Sequence, residues 1–265
     1  MKLIRLGQLS VAFIWMNLSV FGQQGLSVGS NEQTPAEYYF QVKQFGEFID
    51  RFNFKSDLKG NLITEDFANK VPRSSYISYL LNAEDERLTD TTDSSYKILC
   101  SEFIKFVVAP NPQTINLFTG QVKAMAVVTI IYGGRDYKVN LELSPEILSD
   151  RSAKWAISRV DADCFDFIED SLRVHFIPPN SHETSFINIK KLNTSSDPIY
   201  YFSTSLASDA TLLFMTELEK KRIKIQTIEK VTYNISFPGW MIKVDEFTRS
   251  SANSGWLISD IKRND

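Results

Sequence analysis

Residues 154–160, Lys154-Trp155-Ala156-Ile157-Ser158-Arg159-Val160, correspond closely to residues 255–261, Gly255-Trp256-Leu257-Ile258-Ser259-Asp260-Ile261. Apolar and β-branched residues follow a tryptophan in both stretches, a composition that predicts a β-strand. Each stretch also comes last in a series of three such segments. We therefore expect two antiparallel β-meanders, and these set the fold class of the chain.

The hydrophobic pattern that precedes each closing strand has a period of 2, which is the period of a strand. Four more strands are predicted in this way, in two pairs separated by the turns Gly133-Gly134 and Pro238-Gly239: 126–132, 137–143, 231–237 and 240–245. Val128 and Trp155 are 27 positions apart, and Val231 and Trp256 are 25 apart. This similarity is explained either by an internal duplication or by chance recurrence of a meander, which is a common motif.

Several predicted helices precede the first meander, the last of them marked by Tyr96, Leu99, Phe103 and Val107, and one predicted helix precedes the second. Thr34, Pro35 and Glu37 have the pattern of a capping box. Apolar residues at helical spacing then predict a long amphipathic helix that continues to Phe52. Ser208 is the predicted cap of the helix before the second meander. The expected organisation is a flexible leader followed by two α+β domains: 23–33, 34–170 and 171–265.

Residues 1–22 have the features of a secretory signal peptide. Lys2 and Arg5 are followed by an apolar stretch, and the small residue Gly22 suits cleavage before Gln23. The alternative is a membrane anchor, but the apolar stretch is short and interrupted by polar residues, whereas a span needs about 20 apolar residues. We therefore expect a secreted or periplasmic protein with no membrane span after the signal is removed.

The charge balance excludes some classes of partner. The chain has 265 residues, of which 29 are Lys or Arg and 32 are Asp or Glu. Removal of residues 1–22 takes away Lys2 and Arg5 and leaves 27 basic residues against the 32 acidic ones. An acidic chain is poorly suited to nucleic acid, which is bound by clustered Lys and Arg.

The scarcity of His and Cys limits metal and redox chemistry. Only two His are present, and His175 and His182 do not have the spacing of zinc ligands. No metal site and no cofactor is predicted. In an oxidising compartment Cys100 and Cys164 are expected either to form one disulfide or to remain two buried thiols.

Catalytic residues are not identified by any sequence motif, because the chain has no nucleophile elbow, no phosphate-binding glycine loop and no metalloprotease helix. Trp155, Trp240 and Trp256 all fall on predicted strands. They either line a ligand pocket on a concave sheet or belong to the core between helix and sheet. Residues 83–95 are charged and rich in Asp, Thr and Ser, and are interpreted as a solvated loop.

The segment Phe45-Gly46-Glu47-Phe48-Ile49-Asp50-Arg51-Phe52-Asn53, together with the strands of Trp155 and Trp256, resembles the NTF2-like (cystatin-like) family of α+β domains. The resemblance extends to uncharacterised secreted proteins of Gram-negative bacteria that carry such domains. It implies N-terminal helices packed on a strongly curved antiparallel sheet. The family includes isomerases, dehydratases and non-catalytic modules, so the fold alone does not give the function.

Two functions are compatible with these features. The first is an exported, non-catalytic module that binds a small ligand, a glycan or a cell-envelope protein. The alternative is a small-molecule enzyme of the isomerase or hydrolase type that uses a carboxylate in an NTF2-like pocket. An aromatic-filled sheet interior favours the first function, and a cavity with a buried carboxylate beside a tyrosine favours the second.

Overall fold

A computed structural model describes residues 41–148, 150–165, 186–203 and 208–264, all of which belong to one compact unit. The α-helices are α1 (Phe45–Phe52), α2 (Glu65–Lys70), α3 (Arg73–Tyr79), α4 (Glu86–Thr89), α5 (Ser95–Val107) and α6 (Asp209–Glu219). The strands are β1 (Val122–Tyr132), β2 (Arg135–Ile147), β3 (Ala153–Asp161), β4 (Ile223–Phe237), β5 (Trp240–Phe247) and β6 (Gly255–Arg263). Short 3-10 helices lie at Asp163–Phe165, Phe186–Asn193 and Pro198–Tyr201.

The strands form one open antiparallel sheet in the order β3-β2-β1-β4-β5-β6. The predicted α+β class and the two three-stranded meanders are confirmed. The predicted boundary between residues 170 and 171 lies in 166–185, outside the described residues. On its two sides, β1 and β4 are hydrogen-bonded neighbours, so both meanders contribute to the same sheet.

The two meanders have the same strand register. Leu141 pairs with Val160 in the first meander, and Ile242 pairs with Ile261 in the second. The positions 141 and 160 therefore correspond to 242 and 261, a constant offset of 101. A β-bulge interrupts the pairing of the last two strands at the corresponding place in each meander.

A serine occupies each bulge and makes the same hydrogen bond. Ser158 Oγ donates to the backbone carbonyl of Glu142 at 3.2 Å, and Ser259 Oγ donates to that of Lys243 at 3.3 Å. Both pairs obey the offset of 101. The agreement of register, bulge and side-chain bond shows that the sequence similarity extends to matching local structure.

A pseudo-twofold axis relates the two meanders and passes through the pair Ala124–Tyr233 of the β1–β4 ladder. Pairs at equal distance on either side of it correspond to each other: Val122–Ile235 and Ala126–Val231. Because the axis is perpendicular to the sheet, equivalent residues of both halves lie on the same face. Tyr233 is therefore the residue toward which equivalent side chains of the two halves converge.

The first hairpins of the meanders differ in length. Val128 and its partner Val139 are 11 positions apart, whereas Phe237 and its partner Trp240 are 3 apart. The second hairpin is thus eight residues shorter. The structural equivalent of Val128 is therefore Phe237. The sequence comparison, which matched Val128 with Val231 by their distances from Trp155 and Trp256, was wrong because it assumed hairpins of nearly equal length.

Helix α1 begins at Phe45, and the predicted helix is wrong for residues 41–44; residues 34–40 lie outside the described part. Val42 is extended and bridges to Gly255. Its N–H donates to the carbonyl of Ser254 at 3.0 Å, and Trp256 N–H donates to the carbonyl of Val42 at 2.8 Å. These bonds satisfy backbone groups on the outer edge of β6, which a helix at Val42 would leave unpaired.

Both edges of the sheet are covered at equivalent positions. At the β6 edge, Ile258 N–H donates to the carbonyl of Leu80 at 2.7 Å, and Asn82 N–H donates to that of Ile258 at 3.0 Å. At the β3 edge, Ser203 N–H donates to the carbonyl of Ile157 at 2.8 Å. Ile157 and Ile258 obey the offset of 101. This cover protects the two edge strands from pairing with other chains.

The core lies between the concave face of the sheet and helices α1, α3, α5 and α6. Phe48, Phe52 and Phe103 are fully buried there, together with Ile130 and Leu141. Within the described residues, no helix is sufficiently long and apolar to cross a bilayer.

Candidate functional site

Trp240, one of the three predicted pocket residues, is part of the core. Its ring centroid lies 5.5 Å from that of Phe103 and 5.9 Å from that of Phe106, both on α5. The guanidinium of Arg263 lies 5.0 Å from the Trp240 ring. The residue is 7% exposed and anchors α5 on the β4–β5 hairpin.

Trp155 and Trp256 are equivalent under the pseudo-twofold axis and both contact Tyr233. Their ring centroids lie 5.8 and 4.9 Å from that of Tyr233. Phe45 of α1 stacks on Tyr233 at 3.4 Å with an interplanar angle of 3°. Since three steps across the sheet separate β3 from β4, the contact of Trp155 requires strong curvature. Aromatic rings therefore fill the centre of the concave face.

Cys100 and Cys164 are both described, and neither takes part in a disulfide. Cys100 is buried on α5, and burial raises the pKa of its thiol to about 11. Cys164 is half-buried in the 3-10 helix Asp163–Phe165, whose Phe165 ring packs on Tyr132 at 5.7 Å. The signal-cleavage residues Gly22 and Gln23 lie outside the described residues.

A cavity between α4 and α5 is the candidate binding site, and we call it the α4–α5 cavity. It has a volume of about 390 Å³ and is lined by Arg87, Asp90, Asp93, Ser95, Tyr96 and Leu99. This volume falls in the lower part of the range of small-molecule sites, roughly 300–1,000 Å³. The cavity combines an aromatic ring, an apolar side chain and charged groups, as small-molecule sites commonly do.

Side-chain-to-backbone hydrogen bonds shape the rim of this cavity. Asp90 Oδ1 accepts from the backbone N–H groups of Thr92 at 2.7 Å and Asp93 at 3.3 Å. Asp93 Oδ1 accepts from the N–H of Ser95 at 2.8 Å, at the start of α5. Such bonds are typical of Asp in turns, where the carboxylate replaces a backbone acceptor. Residues 90–95 belong to the segment that the sequence predicted to be a solvated loop. These hydrogen bonds give them a defined conformation.

Arg87 forms one wall of the cavity and is held by two carboxylates. Its Nε and Nη2 donate to Asp85 at 2.9 and 2.7 Å, and its Nη1 donates to Asp260 at 2.9 Å. The guanidinium lies 3.8 Å from the ring centroid of Tyr96. This arrangement combines a bidentate ion pair with a cation–π contact and fixes the plane of both groups.

The ionisable groups around the cavity keep their charge states near neutral pH. The hydrogen bonds from Thr92 lower the pKa of Asp90, and those from Ser95 lower the pKa of Asp93. Burial raises the pKa of Tyr96, and the bonds to Asp85 raise that of Arg87. General acid–base catalysis favours groups with a pKa near the working pH. These groups suit a site of constant charge.

A second cluster places a carboxylate beside a tyrosine, away from the cavity lining. Glu217 on α6 is 4% exposed and hydrogen-bonds with Tyr132 at the end of β1. Arg222 Nη1 lies 3.2 Å and Lys220 Nζ 3.9 Å from Glu217 Oε1. Two cations thus compensate the buried carboxylate, as expected of a structural ion pair at a helix end. In the described residues, no group of three or more His, Cys, Asp and Glu is arranged to hold a metal.

No protein-family model matches the chain, and comparison with curated proteins and with solved structures finds no significant similarity. The site therefore has to be interpreted from its own geometry. The sequence missed the α4–α5 cavity because its lining residues come from a polar segment without a motif. The Asp-x-Thr/Ser pairs at Asp90 and Asp93 were the available signal, since they favour ordered turns.

Proposed function

We propose that this protein is an exported, non-catalytic binding module whose small-molecule ligand occupies the α4–α5 cavity. The observation that carries the proposal is the combination of cavity volume, an Arg87–Tyr96 wall and groups with fixed charge. A glycan or an envelope protein that presents a small polar group to this cavity is included in the proposal.

The enzyme alternative has less support than the binding function. Its expected site was the concave face of the sheet, where Tyr233 is packed against the rings of Phe45, Trp155 and Trp256. The cavity has no group whose pKa is moved toward neutrality. Burial also raises the pKa of the neighbouring Cys100, which disfavours its use as a nucleophile.

We further infer that the fold is an NTF2-like variant and that the protein acts in the periplasm or outside the cell. Support for the fold comes from the helices that precede a strongly curved antiparallel sheet. Support for the location comes from the charge and hydrophobicity pattern of residues 1–22. Neither inference depends on the identity of the ligand.

The location is tested by the mature N-terminus. When the full chain is expressed in a Gram-negative host, we expect the exported protein to begin at Gln23, because Gly22 supplies the small residue before the cut. Intact-mass and peptide mass spectrometry of the periplasmic fraction provide the measurement. A protein that keeps Met1, or one that carries a lipid adduct, would contradict the proposed export route.

The binding function is tested by filling the cavity. Ser95 lines the cavity on the exposed first turn of α5, so Ser95→Phe places a ring in the cavity without changing the core. Ligand-observed NMR first identifies fragments that bind the wild-type protein. These fragments should bind the Ser95→Phe variant at least about tenfold more weakly, because the new ring occupies their volume. Ser101→Phe, on an exposed position of the same helix, is the matched control. If Ser95→Phe and Ser101→Phe bind the hits equally well, the ligand does not occupy this cavity.

A further inference from the structure

We propose that the α4–α5 cavity selects a small organic cation, whose ammonium group is held by Asp90 and Asp93 while its hydrocarbon part contacts Tyr96 and Leu99. This inference rests on the proposed function, since it names the ligand class of the same site.

Arg87 is unsuited to binding an anion. Its guanidinium already donates to both oxygens of Asp85, to Asp260 and, at 2.9 Å, to the backbone carbonyl of Ser259. An anionic ligand would have to displace these acceptors, and it would approach past the carboxylates of Asp90 and Asp93. A charge already matched by two carboxylates adds little attraction for a third.

The two aspartates of the rim retain acceptor capacity. Asp90 Oδ1 receives hydrogen bonds from Thr92 N and Oγ1 at 2.7 and 2.6 Å and from Asp93 N. Asp93 Oδ1 receives one from Ser95 N, and the Ser95 side chain also hydrogen-bonds to the Asp93 carboxylate. An ionised carboxylate has about four acceptor positions, so these bonds leave both aspartates able to accept from a further donor. An ammonium group supplies three donors and a matching charge.

Two further cations lie near the cavity. Lys97 donates to the backbone carbonyl of Asp90 and its charge also acts on the Asp90 carboxylate, while Lys262 Nζ lies 3.7 Å from Asp260 Oδ2. These two cations and Arg87 are opposed by four carboxylates, those of Asp85, Asp90, Asp93 and Asp260. One negative charge remains, so the balance of charge favours a cation.

The apolar part of the lining limits the shape of the ligand. Tyr96 and Leu99 are one helical turn apart on α5 and present a ring and an isobutyl group to the same cavity. A hydrocarbon chain or ring attached to the ammonium removes apolar surface from water there. The volume of about 390 Å³ restricts the ligand to a small molecule or to the end group of a larger one.

Three probes of similar size but different charge test the ligand class: benzylamine, benzyl alcohol and benzoate. Titrations followed by protein NMR should show saturation with benzylamine, at a Kd of about 1 mM or tighter, with shifts at Tyr96 and Leu99. Benzyl alcohol should bind at least about fivefold more weakly and benzoate should cause no saturable shift. Raising the salt concentration should weaken the binding of benzylamine and leave the binding of benzyl alcohol unchanged.

Matched substitutions test the two carboxylates. The substitutions Asp90→Asn and Asp93→Asn keep an oxygen acceptor for the turns but remove the negative charge. Each should therefore weaken the binding of benzylamine by at least about fivefold. Asp66→Asn removes a charge of the same sign from an exposed site on α2 and should have no effect. Equal binding by Asp66→Asn and the cavity variants would overturn the assignment of the ammonium site, and so would benzylamine binding that salt does not affect.

The remaining outcomes separate this inference from the proposed function. Saturable binding of benzoate, or binding of benzyl alcohol as tight as that of benzylamine, would overturn the cation preference while leaving the cavity as a binding site. If none of the three probes shifts the resonances of Tyr96 or Leu99 at about 10 mM, the cavity does not bind small molecules, and the proposed function fails as well.

Discussion

Replacing Tyr233 with alanine is expected to lower the free energy of unfolding by about 3–5 kcal/mol. Tyr233 is 5% exposed and lies on the pseudo-twofold axis, where the rings of Phe45, Trp155 and Trp256 all contact it. Its removal leaves a cavity between the two meanders and α1, and it removes the shared contact of both tryptophans. Urea unfolding followed by tryptophan fluorescence measures the loss.

The control for this substitution is Tyr233→Phe, which keeps the ring and removes only the hydroxyl. It should cost much less than Tyr233→Ala, because the ring and its aromatic contacts remain and no cavity of comparable size is left. Trp256→Ala should also lower the free energy of unfolding, because the Trp256 ring packs on Phe45 at 6.2 Å as well as on Tyr233. If Tyr233→Ala and Tyr233→Phe unfold at the same urea concentration, the ring does not hold the two halves together.

Replacing Gly255 with alanine is expected to cost a similar amount, about 3–5 kcal/mol, through the backbone. Gly255 has φ +87°, and a Cβ atom there would lie 2.0 Å from the carbonyl oxygen of Val42. Val42 must therefore move away, which breaks its two hydrogen bonds with Ser254 and Trp256. Because Phe45 follows Val42 by three residues, this displacement should also disturb the packing of the Phe45 ring on Tyr233.

Gly239→Ala separates the steric effect from the effect of backbone conformation. Gly239 has φ +72°, but a Cβ atom there meets nothing within 4 Å. The substitution should therefore lower the free energy of unfolding by only about 1–2 kcal/mol, the cost of placing an L-residue in the left-handed conformation. Hydrogen exchange of the Trp256 amide, which donates to Val42, should become faster in Gly255→Ala and stay slow in Gly239→Ala. Equal exchange rates in the two variants would show that the Val42 bridge tolerates the extra methyl group.

The sequence was informative wherever a structural element repeats a local pattern. The strands before Trp155 and Trp256 alternate with a period of 2, and the structure contains both meanders. The start of α2 also follows a local pattern, since the side chain of Thr64 accepts from Phe67 N–H at 3.3 Å. These features depend on neighbouring residues, so a single sequence contains them.

The sequence was uninformative where a residue's partner is distant in the chain. Val42 fits the helical spacing of the apolar residues up to Phe52, but the edge of β6 offers Val42 two hydrogen bonds, and those bonds make residues 41–44 extended. The α4–α5 cavity depends on Arg87 reaching Asp260, 173 positions later. Neither contact produces a periodicity that can be recognised in the sequence.

By itself, then, the sequence determined the α+β class, the six strands and the correspondence between the stretches of Trp155 and Trp256, because hydrophobic periodicity is a local property. Only the tertiary structure decided that the two meanders join into one sheet through β1 and β4, that both tryptophans meet at Tyr233, and that a polar segment lines a cavity. These features depend on strand curvature and on long-range pairing, which bring together residues that no spacing along the chain connects.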